Sequence, residues 1–218
     1  MSILLKASRR GDVRFMPAIG ITGGISTGKS TFVEYLRELL PIATFFDADQ
    51  AAHAFLSRAD VERQIRHEFG AEVFSNAGDL NRSKLRAIVF ADATKKRALE
   101  RILHPRIRRQ WRTEAKEHRN SPKFFFADIP LLYETGGESL CDRVVVVGCS
   151  QKVQLARLRK RMSVRSAVAK KMINSQMPLE EKIRRADHVV WNNGDRRSLV
   201  EQASFLVQSW QRQTWTKR

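Results

Sequence analysis

One nine-residue segment constrains the fold of this chain more than any other feature. Residues 23–31 read GGISTGKST and match the pattern G-x-x-x-x-G-K-[ST]. The glycines of this pattern allow successive backbone N–H groups to point inward at phosphate oxygens. A short apolar run precedes the segment at residues 17–22, and apolar residues recur with helical spacing from Ser30 to Leu40. The segment therefore predicts a strand, a phosphate-binding loop and a helix that hold a nucleoside triphosphate, with an ordinary glycine-rich turn as the alternative.

The lysine and serine of the loop have distinct predicted roles. Lys29 would reach the β- and γ-phosphates. The Ser30 hydroxyl would hold Mg²⁺, a hard cation that takes oxygen ligands. The helix that begins near Ser30 adds its positive N-terminal end to the same site.

The rest of the chain alternates between strand-like and helix-like segments. Continuous apolar runs predict further buried strands at residues 42–46, 124–128, 143–149 and 188–191. Residues 50–119, 151–186 and 199–210 are predicted to be mainly helical. Strands buried on both faces that alternate with helices indicate a parallel sheet in an α/β layered fold. Pro105 is expected to interrupt the first helical region and to start a new helix, where His104 would contact a substrate or cap the helix.

Acidic residues follow two of the predicted strands. Asp47 and Asp49 come after the second strand, and strand carboxyl ends line the ligand crevice of a doubly wound sheet. These carboxylates are therefore candidates to hold Mg²⁺ or to orient an attacking hydroxyl, with capping of the next helix as the alternative. Asp128 ends the strand at residues 124–128 and is a candidate Mg²⁺ ligand, or else an ordinary polar residue at a strand end.

The charge of the chain predicts a polyanionic partner. The 218 residues include 40 Lys and Arg against 23 Asp and Glu, for a formal net charge of +17. Residues 151–218 hold 16 basic and 5 acidic residues, a net of +11. Nucleic acid, a membrane surface and a phosphorylated small molecule all fit this excess. No apolar run reaches the ~20 residues that span a bilayer, and the two cysteines, Cys141 and Cys149, fit a reducing cytoplasm.

Several motifs in a fixed order give the chain a specific resemblance. The phosphate loop is followed by Asp47-Ala48-Asp49 with Ala52-His53, His104-Pro105, the segment IPLLYE at 129–134, Gln176-Met177-Pro178, Ala186-Asp187 and Asn192-Asn193-Gly194. In this order they resemble the dephospho-CoA kinase family, over about Ala18 to Trp210. Many nucleotide-hydrolysing proteins share the loop, whereas the Asp-Ala-Asp, His-Pro and Pro-Leu-Leu-x-Glu segments are more specific.

The resemblance implies a fold and a reaction. The fold would be the three-layer α/β P-loop NTPase fold of the nucleoside monophosphate kinases, with a parallel five-stranded sheet, a helical substrate-binding subdomain at about 50–119 and a lid at about 151–178. These belong to a kinase domain at 16–212, between an N-terminal extension at 1–15 and a basic tail at 213–218. The reaction would be ATP- and Mg²⁺-dependent phosphorylation of the ribose 3′-hydroxyl of dephospho-CoA, the last step of coenzyme A biosynthesis. We expect a cytoplasmic monomer or weak oligomer that has no specific nucleic-acid partner and no membrane partner.

By similarity, the catalytic residues would be Asp49, Lys29 and Arg161, with Asp49 orienting or deprotonating the acceptor hydroxyl. Those that hold ATP would be Gly24, Ile25, Ser26, Thr27, Gly28, Lys29, Ser30, Thr31, Arg157, Asn193 and Gly194, the last two beside the base. Those near dephospho-CoA would be Thr22, Asp47, Asp49, His104, Pro130, Leu131 and Leu132. The metal ligands would be Ser30 and Asp128. Arg157 and Arg161 stand where the family has lid arginines.

Four positions depart from the family's pattern. Ser26 stands where glycine is usual, Met162 where aspartate is usual, and Trp191 where a polar residue is usual. Lys171 stands where arginine is frequent, and lysine lacks the bidentate fork of a guanidinium group. The role of Lys171 in the lid is therefore open.

Two other functions compete with this interpretation. A related P-loop kinase that acts on another small hydroxyl or on a nucleoside monophosphate would share the loop and the lid. A nucleic-acid-binding ATPase would explain the charge, but it needs exposed aromatic residues for base stacking. Residues 151–171, where the charge is densest, contain no Phe, Tyr or Trp.

Overall fold

The computed structural model describes residues 16–119, 121–213 and 215 of the chain. Within them, one sheet contains the strands β1 (Ala18–Gly23), β2 (Thr44–Asp47), β3 (Phe125–Asp128), β4 (Arg143–Gly148) and β5 (His188–Trp191). The strands are all parallel, in the order β2-β3-β1-β4-β5. The predicted parallel five-stranded sheet is confirmed. The predicted extension at residues 1–15, and most of the predicted basic tail, lie outside the described residues.

Helices cover both faces of this sheet. They are α1 (Lys29–Leu39), α2 (Ala48–Phe55), α3 (Ala59–Phe69), α4 (Arg82–Ala91), α5 (Ala93–His118), α6 (Gln151–Met162), α7 (Ser166–Asn174), α8 (Leu179–Arg185) and α9 (Arg196–Arg212), with short 3₁₀ helices at Ala71–Val73 and Gly137–Leu140. In the described part of the chain, no helix combines the length and the apolar character needed to cross a membrane.

Alternation of side chains along the strands produces three layers. Ile19 and Ile21 of β1 pack in a core with α1 and α9, whereas Ala18 of the same strand faces a second core beneath α5. Val145 and Val146 of β4 divide between the same two cores, because successive side chains of a strand point to opposite faces. Strands β1, β3 and β4 are therefore buried on both sides, as their continuous apolar runs predict. In β5, by contrast, Val189 and Trp191 are exposed, so this edge strand is not buried on both faces.

A third apolar core lies away from the sheet. Val61, Ile65 and Phe69 of α3 pack there with Leu85 of α4 and with α5. The helices between β2 and β3 thus bury a core of their own, in the region predicted to be a substrate-binding subdomain.

The expected break at Pro105 is wrong, because α5 continues through it from Ala93 to His118. A proline inside a helix removes one backbone hydrogen bond and crowds the carbonyl group four residues earlier. Here the Arg106 guanidinium donates to the carbonyl oxygen of Ile102 at 2.6 Å, within this same turn. Ile102 is buried in the third core and Trp111 beneath the sheet, so tertiary packing holds both halves of the helix in line.

Candidate active site

The phosphate loop connects the end of β1 to the start of α1. Gly28 precedes α1 with φ of 97°, a left-handed conformation that favours glycine. A Cβ atom at Gly28 would lie 2.0 Å from Nδ2 of Asn192, which donates to the Thr27 carbonyl oxygen at 2.8 Å. Glycine is therefore required at this position, and it offers no side chain to cap α1. The first N–H groups of the helix are left available for an anion.

Ser26 occupies the position where glycine is usual. Its φ of 59° also lies in the left-handed region, which explains why the family's preferred residue is glycine. Its hydroxyl oxygen is buried and has no hydrogen-bond partner among the described residues. A phosphate oxygen would satisfy this hydroxyl group, so the departure is compatible with nucleotide binding.

Lys29 is ion-paired with Asp128, which ends β3. Burial raises the pKa of the Asp128 carboxyl group; Lys29 opposes this rise, and the negative charges of Asp47 and Asp49 add to it. The three carboxylates and the lysine therefore lie in one region, at the carboxyl ends of β2 and β3.

A cavity of about 550 Å³ lies over the phosphate loop, and we call it the loop cavity. Two arginines of α6 line it, Arg157 half-buried and Arg161 exposed. The Arg157 guanidinium donates to the Thr27 carbonyl oxygen at 3.3 Å. Residues four apart lie on one helix face, so both guanidinium groups border the same cavity. Their predicted contact with the ATP phosphates is compatible with this position and stays a prediction.

A second cavity of about 620 Å³ lies beside α5, and we call it the α5 cavity. It shares four lining residues with the loop cavity: Asp49, Lys96, Pro130 and Leu131. Asp49 is exposed in the first turn of α2 and lies where the two cavities meet. A group bound over the loop and a group bound beside α5 would thus approach each other at Asp49.

His104 also lines the α5 cavity. Burial lowers the pKa of its imidazole; Glu100 opposes this effect, and Lys96 adds to it. The ring is therefore neutral near pH 7, and each of its nitrogens has one hydrogen-bonding role, as donor or as acceptor.

Other predicted substrate residues have supporting positions. Asp47 accepts a hydrogen bond from the Gln50 N–H at 2.9 Å and caps α2, so the capping alternative holds for this residue. Thr22 is buried, and its hydroxyl donates to the Pro130 carbonyl oxygen at 3.0 Å. Leu132 is fully buried in the core beneath the sheet, so its side chain supports the 130–134 turn instead of facing the cavity.

Asn193 and Gly194 follow β5 and line neither cavity. The Asn193 side-chain oxygen accepts from the Ser150 N–H at 2.7 Å, at the start of α6. Their predicted contact with the ATP base stays a prediction. Lys171 is exposed on α7, and it too lines neither cavity.

Three site residues were missed at the level of sequence. Gln154 and Gln176 bind the two sides of Ile25, with Gln154 donating to its carbonyl oxygen and Gln176 accepting from its N–H, both at 2.9 Å. Gln176 belongs to the Gln176-Met177-Pro178 segment that contributes to the family resemblance, so the sequence did contain a signal for its role in the site. Lys96 lies in a basic stretch of α5, where nothing in the sequence distinguishes it from the basic residues on either side.

The described residues contain no group of three or more His, Cys, Asp or Glu that could hold a metal ion. The predicted ligands Ser30 and Asp128 nevertheless suit Mg²⁺, which usually keeps several waters and binds one or two protein oxygens together with phosphates.

Comparisons with known proteins agree on one family. The family model described as dephospho-CoA kinase matches residues 17–198. A dephospho-CoA kinase of Geobacillus kaustophilus is 40% identical over 195 residues, which cover 88% of this chain and 96% of the relative. Further relatives carry the same description, including one from Anaeromyxobacter dehalogenans at 42% identity over 88% of this chain and 91% of the relative.

Solved structures agree with the sequence relatives. A dephospho-CoA kinase from Campylobacter jejuni superimposes with a TM-score of 0.63 at 27% identity, covering 88% of this chain and 96% of that one. A shikimate kinase from Acinetobacter baumannii has a TM-score of 0.53 at 16% identity over 92% and 97% of the two chains, which shows a shared fold.

Proposed function

Because this chain belongs to the dephospho-CoA kinase family, we infer that it transfers the γ-phosphoryl group of ATP to the ribose 3′-hydroxyl of dephospho-CoA, giving coenzyme A and ADP. The enzyme is a phosphotransferase with an alcohol group as acceptor, and its reaction is the last step of coenzyme A biosynthesis. The main structural support for this proposal is the position of Asp49, which lies where the loop cavity and the α5 cavity meet.

The loop cavity is the proposed site for the ATP phosphates. The uncapped start of α1, the buried Ser26 hydroxyl and the Lys29 ammonium group supply donors and positive charge. Arg157 and Arg161 supply two further cations from α6. Ser30 and Asp128 would hold Mg²⁺, which supplies charge that neutralises the phosphates when it is bound. The Lys29 ammonium group would then leave its ion pair with Asp128 and bind a phosphate oxygen.

The α5 cavity is the proposed site for dephospho-CoA. Asp49 would accept a hydrogen bond from the 3′-hydroxyl group and hold its oxygen in line with the γ-phosphorus. His104 and the Pro130-Leu131 turn would contact the same substrate. Phosphoryl transfer makes few covalent demands on the protein, so alignment and charge neutralisation do most of the catalysis. The basic helices α6 and α7 would act as a lid that excludes water from the transferring group.

A direct assay tests this function. Purified protein with ATP and Mg²⁺ should convert dephospho-CoA to coenzyme A, with AMP, CMP and shikimate as competing acceptors in parallel reactions. Preferential turnover of AMP, CMP or shikimate would favour a related small-molecule kinase and contradict the proposal. The cytoplasmic location and the monomeric or weakly oligomeric state stay predictions.

Replacement of Asp49 tests its assigned role. Asp49→Asn should lower kcat by roughly 10²–10⁴-fold, the usual contribution of a positioned acid or base, while ATP binding is retained. Asp79→Asn is the matched control, because Asp79 is exposed in a loop and lines neither cavity. Steady-state kinetics and ATP titration calorimetry give the two readouts. A variant with nearly unchanged kcat would remove Asp49 from the mechanism.

A further inference from the structure

Lys182 of α8 is a fully buried lysine, with 0% of its surface exposed. Lysine is almost never fully buried unless its charge is paired and its donors are satisfied. Here the ammonium group lies 2.9 Å from the Glu134 carboxylate and 3.0 Å from the Pro130 carbonyl oxygen, and it donates a longer bond of 3.4 Å to the carbonyl oxygen of Gly23. The three N–H donors of the ammonium group therefore have three different acceptors.

These acceptors belong to segments that surround the proposed reaction. Gly23 is the last residue of β1 and the first of the phosphate loop. Pro130 lines both cavities, and its carbonyl oxygen also accepts from the Thr22 hydroxyl. Glu134 lines the α5 cavity. One ammonium group thus connects the loop that would hold ATP to the turn that would contact the acceptor.

The Glu134 carboxylate extends this connection toward the lid. The same oxygen, Oε1, also accepts from the Met177 N–H at 3.0 Å. The preceding residue, Gln176, accepts from the Ile25 N–H of the phosphate loop. Met177 and Gln176 lie between α7 and α8, so the segment that leaves the proposed lid is attached to both sides of the site.

We propose that Lys182 is a positioning residue for phosphoryl transfer, which sets the phosphate loop and the 130–134 turn at the separation that the in-line reaction requires. This role rests on the proposed function. Small displacements of reacting groups have large effects, and a misplacement of about 1 Å can cost on the order of 100-fold in rate. Lys182 touches neither substrate in this role, because it acts through Gly23, Pro130 and Glu134.

The competing explanation is that Lys182 serves stability alone. Removal of one partner of a buried ion pair leaves an uncompensated charge and strongly destabilises a protein. Lys182→Met by itself would therefore not separate the two roles. The informative variant is Lys182→Met combined with Glu134→Gln, which leaves no buried charge at this place. Glutamine at position 134 retains an amide oxygen that can accept from the Met177 N–H.

The experiment compares the double variant with Glu134→Gln alone, so that any substrate contact of Glu134 itself cancels. We expect the lower thermal midpoint in Glu134→Gln alone, because it leaves the buried Lys182 ammonium group without its carboxylate. The kcat for coenzyme A formation should nevertheless be at least about 10-fold lower in the double variant, at a temperature where both variants are folded. The KM for ATP should change much less than kcat. Arg184→Met is the matched control on α8, because Arg184 is exposed, and it should leave kcat unchanged.

Two results would overturn the proposal. A folded double variant with kcat within twofold of Glu134→Gln would assign Lys182 to stability alone, while the proposed function stands. Wild-type protein without dephospho-CoA kinase activity would remove the proposed function and this role together. If the double variant does not fold, Lys182→Gln with Glu134→Gln takes its place, since its shorter amide retains donors but cannot span all three acceptors, and the same kcat criteria apply.

Discussion

Two backbone positions in the phosphate loop show how single residues shape the site. Ser26 and Gly28 both have left-handed φ angles, of 59° and 97°. A non-glycine residue in this region costs on the order of 1–2 kcal/mol, whereas glycine loses roughly 0.5–1 kcal/mol more conformational freedom on folding. At Ser26, where the structure has room for a side chain, the backbone strain of serine and the larger entropy loss of glycine nearly cancel. At Gly28 a Cβ atom would also collide with Asn192.

Substitutions at these two positions should therefore have opposite outcomes. Ser26→Gly removes one hydroxyl donor from the loop cavity but keeps Lys29 and the start of α1, so it should retain most of the kinase activity. It should change the free energy of unfolding by less than about 1 kcal/mol, toward stabilisation. Gly28→Ala should lower stability by at least about 2 kcal/mol, because a strained φ and a collision add, and it should abolish nucleotide binding. Urea denaturation and ATP titration measure both effects. Equal losses of stability and of ATP binding in the two variants would contradict the proposed difference in backbone strain between these positions.

At the scale of elements, periodicity and motif spacing predict the sheet and the loop well. The strands are continuous apolar runs, and the phosphate loop follows from glycine chemistry and spacing. The predicted break of the helix at Pro105 is wrong because local helix rules contain no information about the two cores that hold α5 straight. Lys182 lies in the stretch EEKIRR, whose charged composition is typical of a solvated helix. Its burial depends on Glu134 and two backbone carbonyls distant in sequence, which no local pattern contains.

One face of α5 leads to a prediction about Lys96. Lys96, Glu100 and His104 are spaced by four residues and all line the α5 cavity, and Lys96 also lines the loop cavity. A cation where the two cavities meet would attract the phosphates of both substrates. Lys96→Met should lower kcat/KM for dephospho-CoA by about 10-fold, the loss of roughly one charge-assisted hydrogen bond. Arg97→Met, at an exposed neighbouring position, is the control in the same kinetic assay, and equal effects would contradict a specific role for Lys96.

The packing of β5 against α9 predicts a pH dependence of stability. Trp210 of α9 is fully buried, and its indole N–H donates to Nε2 of His188 at 3.3 Å, so this imidazole is neutral. Burial lowers the pKa of His188 below its ordinary value of 6.5, with Arg143 adding to the effect and Asp187 opposing it. The unfolded chain then binds more protons than the folded protein at mildly acidic pH. The stabilisation is complete above pH 6.5 and is lost as the pH falls through the lowered pKa.

Thermal unfolding between pH 7.5 and pH 5 measures this dependence. The midpoint of the wild-type protein should fall as the pH is lowered, and His188→Gln should fall less, because its amide oxygen accepts from Trp210 without titrating. His104, whose pKa burial also lowers, stays in both proteins and contributes equally. Parallel curves for the two proteins would show that His188 is not the titrating group.

At the scale of the whole molecule, the formal net charge of +17 is larger than the basic residues of the candidate site account for. Lys29, Arg157 and Arg161 border the loop cavity, and Lys96 lies where the two cavities meet. Proteins that bind single-stranded nucleic acid combine positive charge with exposed aromatic rings on which bases stack. In the described part of the chain, the large exposed aromatic residues are Phe90 on α4, Trp191 on β5 and Phe205 on α9, on elements other than the basic α6 and α7.

This separation of charge from aromatic rings predicts weak, purely electrostatic binding to nucleic acid. Fluorescence anisotropy with labelled single-stranded RNA of two unrelated sequences should give equal affinities, with dissociation constants no tighter than about 1 µM at physiological salt. Because each neutralised phosphate releases counterions, log affinity should fall linearly with log salt concentration, while coenzyme A formation persists at salt concentrations that abolish RNA binding. Arg159→Gln with Lys160→Gln, at exposed positions of α6 outside both cavities, should flatten the salt dependence and leave kcat unchanged. Sequence-selective binding below 1 µM at physiological salt would instead assign the surplus charge to a nucleic-acid partner.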